Sequence, residues 1–141
     1  ATQVGQLIQV IVLDVDYSIE GDEETDVRNY VNKNPKVIIN PKLLSASGEI
    51  RFKEGCLSVP GFTEEVLRKA RVSIEYQDIN GDLHKTESDG LLGVAIQHEM
   101  DHLNGHLFID RLGVAKKMSI KGKIKKDRNK KFERSRFHVE L

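Results

Sequence analysis

Apolar and polar residues do not alternate evenly along this chain, and the change of period divides it. Residues 7–15, LIQVIVLDV, are dense in β-branched side chains and predict a largely buried strand. The acidic, polar stretch DYSIEGDEETDVRNYVNKNP predicts an exposed loop. KVIINPKLLS predicts a second strand, which Pro41 confines to an edge or an irregular end because it cannot donate to a ladder. EIRFKEGCLSVPG reads as a strand entering a turn bounded by glycine and proline. RVSIEYQD and LHKTE read as two strands joined at DINGD, with Asn80-Gly81 the favoured turn pair.

From Ser88 the period becomes helical. Leu91, Leu92, Val94, Ala95, His98 and His102 share a spacing of three or four, Ser88 or Asp89 can cap the helix, and Gly105 can end it. A further helix is predicted within 114–131. Nothing repeats internally. Strands followed by a mostly apolar helix predict an α+β domain, mostly antiparallel, with the helix packed on the sheet.

Composition adds bounds. At 141 residues, 38% apolar and 31% charged, the chain suits one globular domain with a single core. No apolar run approaches the roughly 18 residues of a membrane span, and no secretory signal is visible. The single cysteine, Cys56, excludes an internal disulfide framework and points to a reducing compartment. The zero net charge hides an asymmetry. Residues 114–141 hold 11 Lys/Arg against Asp127, Glu133 and Glu140, a net of +8, which leaves −8 on 1–113. Such a tail is either a solvated basic helix or a contact for RNA or another polyanion. Because the chain opens on Ala1, an upstream part is expected to be missing.

The candidate chemistry lies in QHEMDHLNG, residues 97–105, which holds His-Glu-x-x-His. On a helix His98 and His102 stand about 6 Å apart along the axis on one face, so both imidazoles can reach one ion. Glu99 beside them can take a proton from water and return it to a leaving amine. The plain alternative is two ordinary histidines near a solvated carboxylate.

A third ligand separates the metal-binding classes. Phe108 stands where a metzincin would have its third histidine. His106 would lie about 12 Å from His98 along a continued helix. Glu133 and Glu140 sit in the basic tail. Cys56, in EGCLS, remains, and two imidazoles with a thiolate leave a fourth position open, a catalytic arrangement.

EGCLS and QHEMDHLNG together resemble the second and third signatures of the peptide deformylase family, and ATQVG at residues 1–5 resembles the end of its first. The order and spacing fit from Ala1 to about Leu112. The resemblance implies a hydrolase that removes the formyl group from the initiator formyl-methionine of nascent polypeptides. Residues 1–113 would be its catalytic domain, lacking the N-terminal part, and 114–141 a basic C-terminal helix. Strands packed around a central His-Glu-x-x-His helix would be its fold.

The resemblance also implies that Cys56, His98 and His102 bind one divalent metal, Fe(II) by expectation, with Zn, Ni or Co as substitutes. Metal-bound hydroxide would attack the formyl carbon, with Glu99 as general acid/base. The Gln3 side-chain amide and the Leu57 N–H would stabilise the oxyanion. Val59, Val94 and Ala95 are candidate walls of a methionine pocket, with His98 beside them. Gly55 would let the backbone approach the site closely, and Arg68 would either orient Glu54 or be a surface charge. Expected partners are N-formyl-Met nascent peptides and, through the basic tail, the ribosome, with no membrane. A cytoplasmic monomer is expected, from a bacterium before an organelle or a phage. Two alternatives stay open: a His-Glu-x-x-His metallopeptidase of another class, and an inactive deformylase-like protein that binds metal or peptide.

Overall fold

In the computed structural model, which describes residues 1–20 and 29–136, the chain divides into two compact units. The first comprises residues 1–50 and 68–106, the second 51–67 and 107–141. The α+β class expected from the period change is observed.

The first unit is built on an antiparallel sheet of Val10–Leu13 (β1), Lys36–Ser47 (β4), Arg71–Gln77 (β7) and Leu83–Asp89 (β8), ordered β1-β4-β7-β8. Ser18–Glu20 (β2) and Asn29–Val31 (β3) pair antiparallel beside it in sequence. The helix Gly90–Leu103 (α1) lays Ile96 against Ile11, Leu13, Ile38 and Ile74, with Leu92, Met100 and Leu103 completing the stripe. These four α1 residues recur at spacings of four, four and three, one face of a helix. Of the apolar positions expected to share the helical spacing, Leu91 is exposed while Val94 is buried.

Several expectations need correction. β1 is shorter than 7–15, because its ladder with β4 ends at Val10↔Ile39, where Asn40 takes a positive φ and its N–H turns to the Gln9 carbonyl. Pro41 lies inside β4, an interior strand, rather than at an edge or an end. It is tolerated because the β4–β7 register shifts between Ile39 and Lys42, a bulge that needs no donor there. Part of the expected loop forms β2 and β3, where Ile19, Tyr30 and Val31 supply strand-forming residues. The acidic segment 20–26 lies outside the described residues, apart from the backbone of Glu20.

The β7–β8 turn is a three-residue loop, not a two-residue one. The Gly81 N–H donates to the Asp78 carbonyl, the Asp78 N–H donates to the Asp82 carbonyl, and Gly81 takes the left-handed conformation that this turn with its bulge requires. Asp89 stands at the N-cap of α1 without a side-chain cap bond. Its carboxylate faces Arg71 across the strand pair instead, and Ser88 belongs to β8.

The second unit carries all but the end residues Ile50 and Arg68 of the hairpin of Ile50–Cys56 (β5) and Val59–Arg68 (β6), a 3-10 turn over Phe108–Arg111 and the helix Val114–Arg136 (α2). The turn of the hairpin is Leu57-Ser58, so Val-Pro-Gly begins β6 and does not bound the turn. Phe108, Ile109, Val59, Val66 and Ile120 form its core, with Ile124 one helical turn beyond Ile120. Lys116 pairs with Glu64 and Lys117 with Asp110, both at 2.7 Å. α2 runs beyond the predicted 131. Among the described residues, no helix is long and apolar enough to cross a membrane.

Candidate metal centre

His98 and His102 project from one face of α1, and their Nε2 atoms lie 3.2 Å apart. The rings meet edge to face, with centroids at 4.8 Å. Two imidazole nitrogens each about 2.0–2.1 Å from a shared ion, at a tetrahedral angle, would be about 3.3 Å apart. The pair therefore fits a common ion. Burial first, and then the neighbouring His98, hold the His102 imidazole below its ordinary pKa, against the pull of the Glu99 charge. The shift favours the neutral imidazole, the form whose lone pair can ligate. Glu99 follows His98 directly and is half-buried.

The end of α1 is held by a Schellman motif. Gly105 is left-handed, its N–H donates to the His102 carbonyl, and the His106 N–H donates to the Asp101 carbonyl. The helix stops there, and His106 is exposed, away from any shared ligation. The side chain of Glu133, and Glu140 as a whole, lie outside the described residues.

Near the same end of the helix, Thr2–Val4 form a 3-10 turn, an element absent from the sequence reading. Thr2 Oγ1 donates to the His102 carbonyl at 3.3 Å, and the Ala1 nitrogen donates to the Val10 carbonyl at 2.7 Å. Gln3 is exposed on this anchored turn.

Cys56 closes β5 in the second unit, half-buried against that unit's core. A Cβ on Gly55 would come within 3.1 Å of Thr63 Cγ2 and 3.4 Å of the Phe62 carbonyl, so the close approach that Gly55 permits is to the paired strand β6. Leu57, at the hairpin turn, is 96% exposed. Val59 and Val94 are buried, each in its own unit, and Ala95 is half-buried.

The side chains of Gln97 and Asp101 on α1 make polar contacts that the sequence did not reveal. Arg68 is no surface charge: it is 4% exposed and donates to Asp101 at 2.6 Å, itself 5% exposed. Glu54 is buried in the second unit. Gln97 accepts from the Lys69 N–H at 3.0 Å and donates to the carbonyls of Lys69 and Gly93, at 2.9 and 3.0 Å. The available signal was the i, i+4 spacing of Gln97 and Asp101, each one residue before a candidate ligand.

Residues 1–118 match the family model described as polypeptide deformylase. The peptide deformylase of Wolinella succinogenes is 47% identical over 126 residues, covering 89% of this chain and 69% of that protein. The crystal structure of peptide deformylase from Ehrlichia chaffeensis superposes with a TM-score of 0.72 at 35% identity, over 89% of this chain and 70% of that one. A structure of the Ehrlichia chaffeensis protein in complex with actinonin gives a TM-score of 0.68 at 35% identity, over 84% and 66%. The chain thus spans about two thirds of the length of these relatives. A match of this extent, over residues that include both signature stretches, settles the family: the chain belongs to the polypeptide deformylases, a family of hydrolases.

Proposed function

We propose that this chain is a metal-dependent hydrolase that removes the formyl group from the N-terminal formyl-methionine of nascent polypeptides. The observation that carries the reading is the pair of imidazole nitrogens 3.2 Å apart, flanking Glu99 on one helix of a deformylase-family chain. The donor set we propose is Cys56 of EGCLS with His98 and His102 of the His-Glu-x-x-His stretch, one thiolate and two imidazoles. The family resemblance favours Fe(II) in such a set, with Zn, Ni or Co as substitutes, and a thiolate beside imidazoles is chemically suited to Zn as well. When bound, such an ion would supply the Lewis acidity that ionises water near neutral pH and polarises a poorly activated amide.

This chain's residues then have distinct tasks. Glu99 takes a proton from the water whose oxygen bonds to the formyl carbon. It returns that proton to the methionine nitrogen as the carbon–nitrogen bond breaks, and formate leaves. The Gln3 side-chain amide and the Leu57 N–H donate to the formyl oxygen as negative charge develops there. The 3-10 turn tethered by Thr2 supports the Gln3 role, and the place of Leu57 at the exposed hairpin turn supports its own. Ala95 is the candidate wall for the methionine side chain, with Val94 and Val59 as core beneath the surface of their own units.

The exposed Lys121, Lys123, Lys125 and Lys126 of α2 support a salt-sensitive contact with the ribosome. The setting we propose is a monomer in the bacterial cytoplasm. The test is formate release from a formyl-Met tripeptide with Fe(II) supplied anaerobically, Ni(II) as an oxygen-tolerant stand-in, and Glu99→Ala as control. Release that depends on Glu99 supports the reading. Metal-loaded protein that releases no formate overturns it in favour of a binding protein of the same fold.

A further inference from the structure

The polar contacts of α1 divide the helix into three faces. Ile96 and its stripe face the sheet, and His98 and His102 face the candidate centre. Gln97 and Asp101, roughly a third of a turn from the histidines, face the corner where β6 passes into β7. Gln97 holds both backbone groups of Lys69 and also ties back to the Gly93 carbonyl. Asp101 takes the Arg68 guanidinium with both side chains buried. Two consecutive corner residues thus grip two helix positions one turn apart, and each gripped position immediately precedes a histidine.

We infer that Gln97 and Asp101, with Arg68 and the Lys69 backbone, form a latch that fixes the rotation of α1 about its axis and so aims His98 and His102. The inference rests on the metal-site reading above and adds the positioning residues of that site.

Apolar packing alone is a weak restraint on rotation, because dispersion contacts tolerate small slides, whereas short directional hydrogen bonds do not. Side-chain tips ride roughly 5–6 Å from a helix axis, so a turn of about 10° moves them about 1 Å. A metal or catalytic constellation tolerates about 0.5 Å. Gln97 is well suited to this task. Its amide mimics a strand partner for Lys69 at no charge, and its side chain is only half-buried, so removing its bonds leaves the apolar core intact.

The test compares wild type with Gln97→Met, which keeps length and removes all three bonds, and with the paired change Arg68→Met/Asp101→Leu, which removes both charges of the pair. Three properties are read: the unfolding midpoint, Co(II) affinity and visible spectrum by chelator competition, and the His98 and His102 ring resonances in metal-free protein. The latch predicts near-native unfolding for Gln97→Met, yet Co(II) binding about tenfold or more weaker, an altered spectrum and shifted ring resonances. Wild-type affinity, spectrum and ring resonances in a folded Gln97→Met protein would overturn it. Wild-type protein that binds no Co(II) would instead refute the metal-site reading, and the metal-free ring resonances would still decide whether the latch aims the histidines.

Discussion

Replacing Asp101 alone should be far more costly to stability than replacing it together with Arg68. The two charges lie 2.6 Å apart with side chains 7% and 2% exposed. At an effective dielectric constant of about 20 their attraction is about 6 kcal/mol. Withdrawing each ion from water costs several kcal/mol, so the pair as a whole contributes little net stability. Asp101→Leu removes the attraction and leaves a guanidinium buried, which should cost about 3–5 kcal/mol. For 141 residues the unfolding entropy is about 0.3 kcal/mol per degree, so the midpoint should fall by about 10–17 °C. Arg68→Met/Asp101→Leu removes both the attraction and the desolvation penalty, and should lie within about 1 kcal/mol of wild type. Urea unfolding followed by circular dichroism, with unchanged denaturant slope, measures both variants and yields the coupling energy. A single variant costing under about 1 kcal/mol, or a double variant as damaging as the single, would refute the description of this pair as buried and mutually compensating.

Further expectations concern other parts of the chain. Gly93→Ala puts a Cβ 2.9 Å from the Ser88 carbonyl oxygen, a backbone atom with little freedom to yield. The cost should be about 1–3 kcal/mol despite the helix propensity gained, and a neutral or stabilising result would mean the helix and strand are further apart. The Lys117 ammonium, and then the Leu107 N–H, hold the Asp110 carboxyl below its ordinary pKa. Its contribution is therefore fully present above the unfolded-state pKa of about 4 and is lost as pH falls through the lower folded value. The stability gap between wild type and Asp110→Asn should be constant above about pH 5 and shrink in acid; a gap that widens in acid would contradict that sign. Removing metal with a chelator should abolish formate release and lower the unfolding midpoint. Free metal at a hundredfold excess over its Kd stabilises the native state by about 2.7 kcal/mol, so a midpoint indifferent to chelation would argue against a native-state site.

What the sequence revealed and what it hid follow from the range of the interactions. His98 and His102 were legible because a helix makes neighbours of residues four apart, and β7 and β8 because the Gly-containing turn joins two strand-forming runs. The Schellman ending of α1 at Gly105 was legible for the same local reason. The contacts of α1 with the β6–β7 corner join residues 28 and 33 positions apart, and no local pattern encodes such pairing. Arg68 and Asp101 look like surface charges when read one at a time, since a charge is buried only where opposite charge or hydrogen bonds compensate it. The exposure of Leu91 was not legible, because Leu91 and His98 share a helical period as good as that of Ile96 and Met100. Only packing chooses between them. Pro41 misled for a related reason: a bulge within β4 removes the donor requirement that a regular ladder would impose. Cys56 carried a local signature, but the thiol alone could not say whether it was core or ligand.

The most direct test of the central claim is the product formed from a formyl-Met peptide of several residues, incubated with the metal-loaded protein and identified by mass spectrometry. The account predicts an otherwise intact peptide that has lost only its formyl group, with formate in equal amount and none formed by Glu99→Ala. Peptide cut at an internal bond with the formyl group retained would contradict it, and would mark the His-Glu-x-x-His helix as that of a metallopeptidase.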